Sequence, residues 1–442
     1  MINNIKNPWS PNDEKEHFPS MMEWWCVEGF LKIDSDDYNW HYKSSFSQSI
    51  VNKEKLSSNY IFDNFDLRKN KHFRFHKDNL REKLNATNNL KISFENSFLK
   101  GKYPNYELNL KDPVNEILLD IKYNSRSLPH FIAQNITNGM LPNGLGYFKY
   151  GFIPNNKLFG KVKLKNKIFE ADGIGYFEHV WGDFSYGGSI ISPSVIKKTL
   201  NTYKKLGGWW IKNHKIKIPK SISFASENNP FGYDWIWAIF DNGWSLFLGN
   251  IMFFIKDGPL FGSLILTKDG NKYFEFSNAE IKYKKTAYLK EYDFFYPIKL
   301  EIKARMNNKI LNLNFKMDED LIVEHITKFI NSGIKKGYAL IEGCGDVNGF
   351  YKDEFDHIPL KGVCKMEPQR SLFKGGHNMI KLKFDFPPEN IALSFNFKSH
   401  LLKKELFTKL SLVNKPRLVF KIKKVDIDAI EKNRSTRYIY PI

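Results

Sequence analysis

The sequence predicts an all-β protein made of two antiparallel β-barrels in tandem, with a short helical insertion between them. Three observations lead to this prediction: a length of 442 residues, an abundance of aromatic side chains, and hydrophobic residues that alternate with polar ones. A chain of this length is expected to form two or three domains. The 38 Phe, 21 Tyr and 10 Trp residues favour pleated sheets, on which rings pack well.

Alternation is clearest in two segments of the C-terminal half. Apolar residues occupy every second position on both sides of Asn307 and Asn308, which is typical of a β-hairpin with one solvated face. The same pattern lies on both sides of Pro387 and Pro388. Evenly spaced turn pairs also favour an antiparallel meander or barrel, and these pairs are Asn242-Gly243, Asp257-Gly258 and Asp269-Gly270.

One segment near the midpoint of the chain has helical signals instead. Ser192 is a suitable N-cap, Pro193 suits the first helical position, and Gly207 suits the end of a helix of about three turns. A basic run follows this segment. We therefore divide the chain into an N-terminal barrel, a helical and basic insertion or linker, and a C-terminal barrel, with the boundaries 18–190, 191–224 and 225–442.

The net charge of +19 comes from 67 basic and 48 acidic side chains, and most of the basic ones are Lys. Arg reads phosphates and guanine edges better than Lys does, so we expect no sequence-specific binding to nucleic acid. A solvated Lys-rich surface is the simplest interpretation. Peripheral contact with an anionic membrane is the alternative.

The cysteines and the apolar runs favour a reducing, cytoplasmic location. Cys26, Cys344 and Cys364 form no CxxC pair, and an odd count does not make a disulfide framework. The first twenty residues lack the apolar core of a signal peptide. The longest uncharged apolar run, from Asn242 to Ile255, is too short to span a bilayer as a helix.

Sequence motifs for common cofactors are absent. The chain contains no GxGxxG, P-loop, HExxH, GxSxG or paired CxxC motif, and its histidines show no convincing metal-ligand spacing. We therefore predict neither a cofactor nor a metal ion. The sequence does not indicate an oligomeric state.

Three segments combine acids with aromatic residues. In "MMEWWCVEGFL", Glu23 precedes Trp24 and Trp25, and this group either plugs the floor of a barrel or lines a cavity. In "GIGYFEHVWGDF", strand alternation places His179 and Trp181 on one face, with Glu178 and Val180 on the other.

The third segment is "GYDWIWAIFDNG". Alternation places Asp234 on a face with Ile236, while Tyr233 and Trp235 lie on the opposite face. An acid among so many rings is costly to bury in its ionised form. Asp234 is therefore expected to be a neutral proton donor or to lie at a solvated strand end.

Together these motifs resemble one protein family. "EWW", "HVWG", "YDW…FDNG" and the later "GYALIEGCGDVNGF" occur in the order seen in the acyclic carotenoid hydratases (hydroxyneurosporene synthases) and their AttH-like relatives, which include fungal pericyclases. The resemblance covers residues 18–397. It implies two lipocalin-like barrels in tandem with a nonpolar pocket near the place where they meet.

The resemblance also implies roles for individual residues. Asp234, His179, Trp181 and Tyr233 match positions associated with catalysis in that family. The residues expected to contact a hydrophobic substrate are Glu23, Trp24, Trp25, Trp235 and Glu342. The chain departs from the family pattern at Cys26, Glu178 and Tyr233, where Tyr, Asp and Trp are usual.

These roles predict a hydro-lyase that acts on an isoprenoid-like substrate. Asp234 would protonate a C=C bond, and water would capture the cation with help from His179. Two alternatives remain open. One is a non-catalytic protein that binds lipid or another hydrophobic ligand, and the other is a pericyclase or isomerase with a similar apolar cavity.

Overall fold

A computed structural model describes residues 9–52, 55–80, 82–86, 90–143, 146–184, 192–213, 221–225, 232–252, 261–268, 272–276, 278–289, 294–331, 334–374, 378–385, 391–399, 402–412 and 416–424. The first sheet contains β1 (Met22–Ile33), β2 (Trp40–Asn52), β3 (Lys55–Asp66), β4 (Lys71–Leu80), β5 (Asn85–Ala86), β6 (Lys91–Phe94), β7 (Ser97–Lys102), β8 (Asn105–Asp112), β9 (Ile117–Ser125), β10 (His130–Phe131), β11 (Met140–Asn143), β12 (Gly146–Leu164) and β13 (Lys167–Asp183). Two helices follow β10 and β13, namely α1 (Gln134–Thr137) and α2 (Pro193–Asn213). A 3-10 turn (Pro11–Asp13) precedes β1.

The second half of the chain forms two further sheets. Their strands are β14 (Ser221–Ala225), β15 (Gly232–Phe240), β16 (Ser245–Met252), β17 (Phe261–Thr267), β18 (Tyr273–Phe276), β19 (Asn278–Leu289), β20 (Phe294–Met306), β21 (Lys309–Met317), β22 (Val323–Asn331), β23 (Ile334–Lys352), β24 (His357–Lys374), β25 (Asn378–Asp385), β26 (Ala392–Ser399), β27 (Lys404–Ser411) and β28 (Arg417–Lys424). A 3-10 turn (Glu319–Leu321) precedes β22.

The first sheet is antiparallel and curls around its own core. Its order is β4-β3-β2-β1-β13-β12-β9-β8-β7-β6-β5, with β10 and β11 paired to β12. Tyr60 of β3 stacks on Phe94 of β6, which lies far away in that order, so the sheet bends back on itself. Its interior is filled by large side chains that include Trp25, Phe46 and Tyr123.

The second large sheet repeats this arrangement. Its order is β18-β17-β16-β15-β24-β23-β21-β20-β19, with β22 paired to β23, and its core includes Ile236, Leu300 and Met317. The five-stranded sheet β14-β25-β26-β27-β28 is separate from it. The predicted all-β class and the two curled, lipocalin-like halves are thus confirmed, whereas the exact domain boundaries stay a prediction.

The two large sheets pack against each other through their outer faces. Phe30, Phe152 and Tyr176 of the first sheet form a third core with Trp237 and Phe247 of the second. The rings of Phe152 and Phe247 stack with 3.9 Å between their centroids. Strand alternation explains how one strand contributes to two cores. Every second side chain fills the curled interior, and the side chains between them fill the interface.

The predicted helix is present, but it is longer than the signals at its ends suggest. Ser192 caps it, because Val195 N–H donates to Ser192 Oγ at 3.4 Å. The helix continues through Gly207 to Asn213, since neither Gly207 nor Gly208 adopts a positive φ that would end it. Among the described residues, no helix is long and apolar enough to cross a membrane.

The turns agree with the prediction where they are described. Met306 pairs with Lys309 around Asn307, whose φ is 53°, and Gly243 has a φ of 82°. β25 and β26 pair as predicted on the two sides of a break, although Pro387 and Pro388 themselves lie outside the described residues. The turn pairs Asp257-Gly258 and Asp269-Gly270 also lie outside them.

Gly173 on β13 allows β1 to approach closely, so Gly173→Ala is expected to destabilise the fold by about 2 kcal/mol or more. A Cβ at Gly173 would lie 2.0 Å from the Phe30 carbonyl oxygen, and a paired backbone cannot move away without loss of hydrogen bonds. Gly207→Ala is the matched control: its Cβ would meet nothing within 4 Å, and we expect a gain of about 0.5–1 kcal/mol. Urea unfolding of both variants measures the difference, and equal midpoints would contradict it.

Candidate active site

Strands β1 and β13 pair along the whole of β1 and carry two of the predicted motifs. Their register places Trp25 opposite His179 and Glu23 opposite Trp181, so these four side chains share one face. That face points into the first curled sheet, because Trp25 is part of its core.

His179 lies at the centre of a hydrogen-bonded group on this interior face. Its Nε2 atom is 2.9 Å from Glu23 Oε1, and its Nδ1 atom is 2.7 Å from the carbonyl oxygen of Asp13. His17 places Nδ1 3.1 Å from the same Oε1, to which its backbone N–H also donates at 2.8 Å. Trp25 stacks on the His179 ring at 4.5 Å. The orientation of the His179 imidazole is therefore fixed from three sides.

These surroundings shift the pKa values of both main partners. Burial alone would raise the pKa of Glu23, yet hydrogen bonds and charge from His17 and His179 hold it at about 2. Burial lowers the pKa of His179, against the opposing effect of Glu23. Trp181 completes the group, since its ring stacks on His17 with 3.9 Å between centroids. The group thus fastens the segment before β1 to the first sheet.

Asp234 lies on the interior face of the second sheet. It is buried on β15 on the same face as Ile236, a core residue of that sheet, as alternation predicts. The hydroxyl of Tyr283 on β19 donates to Asp234 Oδ2. Because His179 points into the first sheet and Asp234 into the second, the structure does not bring these two predicted catalytic residues into one site.

A different group forms between the sheets, around Glu178. Trp24 Nε1 donates to Glu178 Oε1 at 3.0 Å, and the Tyr176 hydroxyl donates to Oε2 at 3.1 Å. Tyr150 also bonds to Oε2 through its hydroxyl, which accepts a hydrogen bond from Trp235 Nε1 at 2.8 Å. Trp235 belongs to β15, so this chain of contacts joins Glu178 to the second sheet.

The carboxyl group of Glu178 favours its protonated form in this place. Burial raises its pKa to about 7, although the hydrogen bonds from Tyr150 and Trp24 act in the opposite direction. The nearby Glu367 and Glu28 raise it further. A large fraction of Glu178 is therefore a neutral acid at pH 7, whereas an ordinary Glu is almost wholly ionised.

A buried ion-pair network continues along the same interface. Lys43 Nζ lies 2.6 Å from Glu342 Oε1 and also contacts Glu367. Lys365, which is fully buried, lies 3.1 Å from Glu342 Oε2. The hydroxyl of Tyr233 donates to Glu367 Oε1 at 3.1 Å. The network therefore joins strands of both sheets.

The acids of this network differ in their pKa values. Burial would raise the pKa of Glu342, but Lys365 and Lys43 hold it well below its usual range. Burial raises the pKa of Glu367, and Lys43 lowers it only in part. Burial likewise raises the pKa of Glu28 to about 7. Glu342 is therefore firmly ionised, whereas burial raises the pKa values of Glu28 and Glu367.

We call these acids and lysines the inter-sheet cluster, whose members are Glu28, Lys43, Glu178, Glu342, Lys365 and Glu367. Two lysines can compensate only two of the four carboxylates, and an uncompensated buried charge is costly, so the cluster holds protons. Trp24, Lys43, Glu178 and Tyr233 are partly exposed, whereas Glu28 and the remaining members are buried. Solvent therefore contacts the cluster on the side of these partly exposed residues.

The predicted site residues thus fall into three places. Trp24, Tyr233, Trp235 and Glu342 belong to the inter-sheet cluster or to the contacts around it. Inside the first sheet lie Glu23, Trp25, His179 and Trp181. Asp234 lies inside the second sheet.

Sequence reasoning missed five members of the cluster, namely Glu28, Lys43, Glu178, Lys365 and Glu367. A signal existed for one of them, because alternation places Glu178 on the face opposite His179. Lys365 and Glu367 alternate with Cys364 and Met366, a pattern that normally indicates a solvated face. It is instead the face that meets the other sheet.

Two groups in the described part of the chain have the ligand types and spacing to hold a metal ion. The first is His17, Glu23 and His179. The second, Asp63, His325 and Glu342, is crowded by cations: Arg74 Nη1 lies 2.8 Å from His325 Nε2, and Lys365 contacts Glu342. This second group therefore does not suit a metal ion.

The fold and the site together define a class of protein: two curled, lipocalin-like sheets in tandem with a buried cluster of acids and lysines between them. A solved structure of this fold is that of an AttH protein from Nitrosomonas europaea, with a TM-score of 0.51 and 12% sequence identity over 84% of this chain and 98% of that one. Kievitone hydratase from Nectria haematococca (TM-score 0.47, 10% identity, 84% and 95% of the two chains) and CghA (0.46, 8%, 81% and 90%) also match. The first match shows the fold alone. No family model and no curated protein sequence matches the chain.

Proposed function

We propose that this chain is a hydro-lyase that adds water to a C=C bond of an apolar, isoprenoid-like substrate bound between the two sheets. The observation that carries the proposal is Glu178, a carboxyl group whose pKa burial raises to about 7 and which lies among aromatic rings. Acids with a strongly perturbed pKa are enriched at catalytic sites. Proton transfer from such a group contributes about 10²–10⁴ to a rate.

Glu178 has the surroundings that protonation of an alkene requires. Its O–H bond breaks as a C–H bond forms on the substrate, which leaves a carbocation beside the ionised carboxylate. The side chains of Trp24 and Tyr150 are hydrogen-bonded to this carboxylate directly, and Trp235 is connected to it through the Tyr150 hydroxyl. A ring face that meets a desolvated cation stabilises it by up to about 2 kcal/mol.

Glu367 is suited to assist the second half of the reaction. Burial raises the pKa of Glu367, but Lys43 acts in the opposite direction, and in its ionised form Glu367 accepts the proton that water loses as the new C–O bond forms. Glu367 and Glu178 are close enough for the charge of one to affect the pKa of the other. Return of that proton to Glu178 restores the starting state, so the net reaction is alkene plus water to alcohol.

The two alternatives of the sequence analysis predict different ligand sites or products. A carrier with a ligand inside its first barrel would need an open interior, yet Trp25, Phe46 and Tyr123 are buried there and fill it. A pericyclase or isomerase would bind its substrate at the inter-sheet cluster without adding water. The mass of the product separates all three functions.

The test is to incubate the purified chain in ¹⁸O-labelled water with an acyclic carotenoid and, separately, with whatever apolar compound co-purifies. We expect a product that is heavier by one labelled water molecule. A product of unchanged mass but altered structure would favour isomerisation or cyclisation. A ligand recovered unchanged from both incubations would contradict the hydro-lyase and favour the carrier.

A further inference from the structure

We propose that His17, Glu23 and His179 form a binding site for a divalent cation of the zinc class. The site lies inside the first sheet, on the face of β1 and β13 opposite the inter-sheet cluster. It therefore does not depend on the proposed hydro-lyase activity.

The three ligand atoms have the separation that such an ion requires. His17 Nδ1 and His179 Nε2 lie 3.1 Å and 2.9 Å from Glu23 Oε1, and all three atoms lie within 4.8 Å of one another. Zinc binds nitrogen and oxygen ligands at about 2.0–2.2 Å, which separates neighbouring ligand atoms by roughly 3.3–3.5 Å in a tetrahedron. Small rotations of side chains are enough to reach this arrangement.

The hydrogen bond of His179 to Asp13 occupies Nδ1 and leaves Nε2 as the nitrogen that can bind a metal ion. Its Nδ1 atom faces the Asp13 carbonyl oxygen, which only accepts, so Nδ1 carries a proton. A proton on Nε2 bonds to Glu23 Oε1, and a metal ion that replaces this proton lies between the Nε2 lone pair and the carboxylate oxygen. A carbonyl on one nitrogen and a cation on the other is the usual arrangement of a metal-ligating histidine.

Glu23 has a matching arrangement. Three nitrogen atoms approach its Oε1 atom, although an oxygen of this type has two lone pairs: the backbone N and Nδ1 of His17, and Nε2 of His179. A cation between the two imidazole nitrogens and Oε1 uses one lone pair and leaves the other for the backbone N–H. Gln48 Nε2 holds Oε2 at 3.0 Å, which orients the carboxylate as a second layer of ligands does.

The site would join two parts of the chain. Glu23 and His179 lie on paired strands, whereas His17 and the Asp13 carbonyl belong to the segment that precedes β1. The His17 side chain is 25% exposed, so an ion can enter from this side and keep a fourth, open position. The ion would hold the N-terminal segment against the first sheet.

Co²⁺ titration of the full chain, after dialysis against a chelator, tests the site, because cobalt bound by nitrogen and oxygen shows visible d–d bands. We expect one equivalent of Co²⁺ to bind and Zn²⁺ to displace it. His17→Gln should weaken binding at least about tenfold. His76→Gln is the matched control, since His76 is an exposed histidine that pairs with Asp78 outside this group, and it should bind as the unchanged chain does.

His17→Cys keeps the proposal testable if the Gln variant folds poorly. A thiolate at this position should restore binding and add a sulfur-to-cobalt charge-transfer band, which a merely structural histidine would not produce. Less than a tenth of an equivalent of Co²⁺ on the unchanged chain would overturn the proposal. Equal binding by the unchanged chain and His17→Gln would do so as well.

Discussion

Glu178→Gln is expected to lower kcat for hydration by about 10²–10⁴, the range for loss of a placed general acid. Gln keeps the shape of the side chain: its carbonyl oxygen can accept from Trp24, and its amide N–H can donate to the Tyr150 hydroxyl, but it cannot supply a proton to the substrate. KM should change little, because the variant removes an interaction that develops in the transition state.

The pH dependence of kcat gives a second readout of the same role. Burial raises the pKa of Glu178 to about 7, so the acid form dominates below this pH and disappears above it. Hydration by the unchanged protein should therefore decline as the pH rises through about 7. In Glu178→Gln the residual rate should lose this decline.

Two further variants test whether Glu178 or Asp234, the acid that the sequence motifs favour, is the proton donor. Glu170→Gln is the matched control on the same strand, because Glu170 is 79% exposed, and it should leave kcat unchanged. Asp234→Asn should also retain most activity, since Asp234 points into the second sheet. If Asp234→Asn abolished turnover while Glu178→Gln retained it, the motif-based assignment would be correct and Glu178 would not be the acid.

The fold was largely predictable because alternation is a local property. In a hairpin such as the one around Asn307, the two strands that pair are neighbours in sequence. One turn residue with a positive φ then fixes their register. The end of α2 was not predictable in this way. Gly207 stops a helix only if it adopts a left-handed conformation, and that choice depends on packing rather than on residue type.

The candidate site was predictable only in part, since it depends on which face of each strand meets the other sheet. Alternation correctly separates Glu178 from His179 and Asp234 from Trp235. It cannot say whether a polar face is solvated or covered by a second sheet. Lys365 shows the difficulty: in sequence it resembles a surface lysine, yet its side chain is fully buried against Glu342.

Glu342→Gln is expected to destabilise the protein by about 3–5 kcal/mol, the cost of removing one partner from a buried ion pair. Glu342 is the ionised acid that Lys43 and Lys365 share. Lys43 retains Glu367 after the change, but Lys365 is left as a buried charge with no other carboxylate of the described residues within ion-pair distance. The penalty thus comes mainly from the lysine that remains.

A second substitution should therefore restore much of the stability that the first one removes. In Glu342→Gln with Lys365→Met the uncompensated charge is gone, and replacement of both partners of a buried pair is often nearly neutral, so more than half of the lost stability should return. Urea unfolding measures the two variants, and Glu170→Gln, which breaks only the exposed pair with Lys161, should cost less than about 1 kcal/mol. Equal losses in the single and double variants would mean that Lys365 is not coupled to Glu342. The cluster would then be held together by packing rather than by its charges.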